Sequence, residues 1–125
     1  MTRLLAAASF VVVGLLVSPD SMIAHHSTAD YEKTLTTVSG TVTDYKLANP
    51  HTQISFEVKN DKGAAEKWVA ETNSAVALYR SGWTKTTLKM GDKITATGNR
   101  AQNGASLMHL RKILLDGKEL PMGRQ

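Results

Sequence analysis

Four histidines carry most of the chemistry that this sequence offers. His25 and His26 are adjacent, His51 follows Asn49-Pro50, and His109 stands alone near the C-terminus. If an export signal is cut after Ala24, His25 presents a free amine and an imidazole, which together chelate one metal ion. An opposing imidazole from His51 then completes a T-shaped histidine brace, with His26 as a third ring or an outer contact. Copper is the expected metal, because affinity peaks at Cu²⁺ and planar nitrogen donors suit its geometry. If Ala24 is retained instead, His26 becomes the third residue, and amine, two backbone amides and imidazole can wrap Cu²⁺ or Ni²⁺ in a square plane. In the competing reading the paired histidines are polar arm residues and His51 satisfies a turn carbonyl.

Imidazoles that bind metal need partners to orient them, and Glu71 and Asp44 are the carboxylates that could serve as such outer partners. Both also read as solvated strand-end charges. His109 is not expected as a ligand, since its strand can turn it either way. Met90, Met108 and Met122 show no methionine-motif spacing and read as core or tail. A different class of site would use Tyr45 and Trp68 as stacking faces for a ligand on strands two and three. Signatures of catalysis are absent: there is no nucleophile elbow, no glycine-rich loop entering a helix and no close pair of acidic motifs. Binding therefore stands ahead of catalysis.

The elements that must position these groups are mostly strands. Leu35 to Leu47 alternates, with Gly40 where a bulge or bend would curve it. Thr52, Ile54, Phe56 and Val58 alternate with His51, Gln53, Ser55 and Glu57, so His51 points away from the core. Asn60 to Gly63 forms a hairpin turn into a third strand over Glu66 to Glu71. Asn73 or Ser74 caps a short helix over Ala75 to Arg80 that Gly82 ends, and Trp83 is expected to plug the barrel beside it. A fourth strand spans Lys93 to Gly98 with Ile94 and Ala96 inward, and a fifth runs from about Ser106 to Leu115. This order matches a small five-stranded OB-like Greek-key barrel, all-β apart from one helix between strands three and four.

Residues 1–24 read as a cleavable signal. Arg3 is followed by an apolar run from Leu4 to Val17, shorter than the roughly 20 residues that span a bilayer. What remains, 25–125, suits one β-barrel domain that is periplasmic or secreted, with no stable membrane anchor. Loss of Arg3 and Asp20 takes 15 basic and 11 acidic residues to 14 and 10, so the net charge stays +4. These charges are scattered, which predicts solubility and no nucleic-acid partner. The expected partners are a metal ion or, in the non-metal reading, an envelope peptide, protein or glycan. With no cysteine, the core alone must hold the fold.

His25-His26-Ser27, Gly40-Thr41-Val42, Asn49-Pro50-His51, Trp68 with Glu71, Gly82-Trp83, and Gly91-Asp92 with Gly98 together resemble DUF6152, small exported bacterial proteins of unknown function. The resemblance implies export and a compact β domain but no established activity. His109 is outside that motif.

Overall fold

A computed structural model describes residues 30–124. Six strands and one helix follow in the order β1 (Tyr31–Lys46), β2 (Thr52–Lys59), β3 (Ala65–Thr72), α1 (Ala75–Arg80), β4 (Lys93–Ala101), β5 (Leu107–Leu115) and β6 (Lys118–Glu119). Hydrogen bonding orders the sheet β3-β2-β1-β4-β5-β6, and a parallel β3–β5 pairing closes it. This is the expected OB-like barrel, with β6 as a two-residue addition on β5. Among the described residues no helix is long and apolar enough to cross a membrane.

Alternation fills the barrel. Ile54 and Phe56 of β2, Trp68 and Ala70 of β3, Ile94 and Ala96 of β4, and Met108 and Leu110 of β5 are all buried. Trp83 closes the helix end at 2% exposure, its indole Nε1 donating to the Pro121 carbonyl at 2.6 Å. A large aromatic there contributes both apolar burial and a satisfied donor. Ser74 caps α1, its Oγ accepting from Ala77 N at 3.2 Å.

Two glycines allow close backbone approach. A Cβ at Gly40 would meet the Glu57 carbonyl and, at 2.9 Å, the Phe56 ring. A Cβ at Gly98 would collide with the His109 carbonyl, beside a register shift between Thr97 and Gly98. Both lie where a barrel strand must bend, which is the usual use of glycine inside a strand.

The first strand begins earlier than its alternation predicts, at Tyr31. Its pairing to β4 is irregular between Tyr31 and Leu35, and side-chain and backbone amides of Asn99 and Gln102 hold this part. Asn99 Nδ2 donates to the Glu32 carbonyl at 3.0 Å, Gln102 N to Asp30 O at 2.9 Å and Gln102 Nε2 to Tyr31 O at 3.3 Å. Bonds from distant amides are invisible to a period-two reading of the strand itself.

Candidate metal centre

His51 leaves the barrel on a turn with a cis Asn49–Pro50 bond and is exposed, as its alternation predicts. The turn is fastened to the start of α1. Ala75 N donates to Ala48 O at 2.8 Å, Thr52 N to Asn73 O at 3.0 Å, and Val76 N to Asn49 Oδ1 at 3.4 Å. The loop histidine is thus carried on a framed segment.

His109 reaches the same place from β5. The parallel closure sets Glu71 opposite His109, and the antiparallel pairing to β2 sets Gln53 opposite Glu71. Gln53, Glu71 and His109 therefore form one row across three strands. Gln53 Nε2 donates to Glu71 Oε1 at 3.0 Å, which fixes a carboxylate that is only 9% exposed. Tyr31 lies over His109, with ring centroids 5.7 Å apart and planes tilted by 48°. Tyr31, His51, Glu71, Thr72 and His109 line a pocket of about 140 Å³.

Burial lowers the His109 pKa below the ordinary imidazole value; the charges of Arg111 and His51 act in the same direction, and Glu71 opposes them. His109 is thereby held neutral to lower pH, the form in which imidazole binds metal. Burial, with the Glu71 charge second, raises the Tyr31 phenol and keeps it a hydrogen-bond donor. Among the described residues no group of three His, Cys, Asp or Glu is arranged to hold a metal ion. Two imidazoles and a carboxylate share the pocket without forming a closed ligand set.

Of the residues singled out from sequence, His51 and Glu71 come together here. His25 and His26 are outside the described residues. Asp44 is exposed on β1 opposite Ser55 and does not line the pocket. The expected stacking surface requires correction. Trp68 is 4% exposed, packed 6.4 Å from the Phe56 ring and covered by the Arg100 guanidinium at 5.0 Å. Arg100 is itself fixed, donating to Ala105 O at 3.0 Å and Gly104 O at 2.7 Å. Tyr45 is half-buried beside Trp83, with ring centroids 6.1 Å apart, and its hydroxyl donates to Thr84 O at 3.0 Å. Both rings are committed to packing.

His109, Tyr31 and Thr72 are the residues that sequence reasoning missed. Flanking Met108 and Leu110 indicate that His109 faces outward, but its meeting with Glu71 depends on a parallel pairing between distant segments. No local pattern encodes that register.

Comparison with known proteins agrees with the fold. The mitochondrial single-stranded DNA-binding protein Rim1 of S. cerevisiae superposes with a TM-score of 0.50 at 9% identity, covering 69% of this chain and 94% of that one. A small single-stranded DNA-binding protein from Streptomyces coelicolor has a TM-score of 0.49 at 16% identity, covering 70% and 96%. The likeness to Rim1 corrects the exclusion of nucleic acid made from scattered charge. A fold found in single-stranded DNA-binding proteins gives no ground for leaving that partner out. No curated protein matches the chain. A family model matches residues 14–109, and with most of its length so covered the chain belongs to DUF6152, a family of unknown function.

Proposed function

We propose that this is an exported protein that binds a transition-metal ion, copper by its donor set, in the pocket between His51 and His109. The supporting observation is the convergence of those two imidazoles beside Glu71, at the foot of the segment that carries His25 and His26. Four residues lie between His26 and Tyr31, so five fully extended steps carry His26 at most about 18 Å from Tyr31 at the pocket's rim. Processing after Ala24 would add the His26 imidazole within that tether, and the amine and imidazole of His25 one residue further along. Nitrogen donors of this kind favour Cu²⁺ over the other divalent first-row ions.

The pocket's size favours carriage or buffering over turnover of a large substrate. Its volume of about 140 Å³ is below the roughly 300–1,000 Å³ of pockets that enclose drug-sized ligands. The deciding experiment is copper titration of protein beginning at His25, followed by electron paramagnetic resonance. One Cu²⁺ with nitrogen hyperfine structure is expected, weakened by His51→Ala and by His109→Ala. If both variants bind as the parent does, the pocket is not the metal site.

A second, non-metal reading has one observation in its favour. A wider groove of about 460 Å³ runs past the β1 bend, and Ser39, Thr41, Thr95, Lys59, Lys93, Glu57 and Asp116 are among its lining residues. Hydroxyls and lysines of this kind suit a phosphate backbone, and a protein of like fold is named for binding single-stranded DNA; an envelope peptide or glycan is the other occupant they suit. Salt-sensitive capture of a labelled single-stranded oligonucleotide, weakened by Lys93→Glu, would favour this reading.

A further inference from the structure

Two hydroxyl pairs fix which way the first half of β1 aims its backbone. Thr37 meets Thr97 at 2.8 Å and Ser39 meets Thr95 at 2.9 Å, and both pairs are directly opposed in the β1–β4 register. Such close side chains mark the non-hydrogen-bonded pairs of an antiparallel ladder, whose N–H and C=O groups point away from the partner strand. Val42 gives the same phase independently. Its N–H donates to Asp92 O and its C=O accepts from Gly91 N, just before β4, so even-numbered residues face β4 and odd-numbered ones face the other way.

On that other side β2 pairs with β1 only from Thr41 onward. Leu35, Thr37 and Ser39 therefore present three N–H and three C=O groups to an edge that no other described strand occupies, and all three residues are exposed. The edge also lacks the usual protection. Between Leu35 and Thr41 there is no charge, no proline and no shift of register against β4, the features that normally blunt an open strand. Leu35, at 61% exposure, is the one large apolar side chain left so open on a strand among the described residues.

We propose that this edge pairs with the same edge of a second copy, in an antiparallel two-fold arrangement centred on Thr37. A strand edge is its own complement under that rotation, since each open N–H meets an open C=O of the other copy. Centring on Thr37 sets Thr37 against Thr37 and Leu35 against Ser39, so all three donors and all three acceptors of each copy are used. The absence of charge suits a copy of the same chain. A net charge of +4 opposes self-association elsewhere, whereas here no like charges are set opposite one another. A foreign strand would find the same backbone bonds, but this edge offers no charge by which to select one. The pairing stops before Thr41, where β2 takes over, and it is independent of what the histidine pocket or the groove binds.

Sedimentation of protein beginning at His25 should show a mass rising from one chain to two with concentration, because so short an edge buries less than stable dimers do. Thr37→Pro removes an edge N–H without removing a bond to β4, and proline is accepted on edge strands, so it should leave a folded monomer. Leu35→Lys adds the charge that natural edges carry and should do the same by a second route. The contact itself is read with Thr37→Cys, since the chain has no cysteine of its own. Opposed residues of a hydrogen-bonded pair have Cα atoms about 5.5 Å apart, within the span of a disulfide, so mild oxidation should link two copies of this variant. Copies carrying Val76→Cys, exposed on α1, should stay unlinked. A parent protein that remains one chain at every concentration overturns the proposal. A dimer unaffected by both Thr37→Pro and Leu35→Lys has its contact elsewhere and overturns it equally.

Discussion

The groove at the β1 bend and the pocket beneath Tyr31 are both polar recesses on one barrel, yet their polar groups are used differently. In the groove the hydroxyls answer one another. Ser39 and Thr95 are 2.9 Å apart, and Lys93 Nζ donates to Thr41 Oγ1 at 2.7 Å. Outside it the same ladder continues with Thr37 and Thr97 at 2.8 Å. The pocket has about a third of the volume, but it gathers two imidazoles and a carboxylate held by an amide. Volume alone would select the groove. In the metal reading it is the meeting of two imidazoles beside a buried carboxylate that favours the pocket.

Equivalent damage to the two regions should sharpen that contrast. Gly40→Ala and Gly98→Ala each force a Cβ against backbone, so each should destabilise by about 1–3 kcal/mol in chemical denaturation. Only Gly98→Ala pushes on the strand that carries His109, so only it should also weaken Cu²⁺ binding. Equal copper affinities in the two variants would dissolve the distinction. Gln53→Leu is the next largest effect: loss of the amide holding Glu71 should cost about 1 kcal/mol and weaken copper severalfold by calorimetry.

Thr95→Val breaks a bond of the exposed ladder and should change stability by no more than about 0.5 kcal/mol, with copper binding untouched. The smallest effect at neutral pH belongs to Tyr45, whose phenol is pushed up to about 12 by burial first and the Tyr79 charge second. Above the ordinary value of 10.0 the unfolded chain loses this proton while the fold retains it. The Tyr45 contribution is therefore complete below pH 10 and is lost as pH rises toward about 12. Thermal melts across that range should fall less steeply for Tyr45→Phe.

Much of the barrel was legible because its determinants are local. Alternation in Thr52 to Val58, the turn at Asn60 to Gly63 and the cap at Ser74 each identify an element from a few neighbouring residues. Trp68 was misplaced because Val69 and Ala70 are both apolar, so parity in β3 does not say which face holds the ring. His51 and Glu71 could be named from residue type, but their company could not. Parallel closure between β3 and β5 joins Glu71 to His109 across 38 positions, and the helix and β4 intervene. The start of β1 was hidden for a similar reason, since Asn99 and Gln102 supply bonds that its own sequence does not announce.

Those two amides have a practical consequence. With the backbone of Gln102 they hold Asp30 to Glu32 against β4, which puts the start of the described chain beside the histidine pocket that Tyr31 lines. A polyhistidine handle fused there for purification would deliver a crowd of extra imidazoles to the very place being assayed. A removable handle on the other terminus keeps the measured ligands the protein's own.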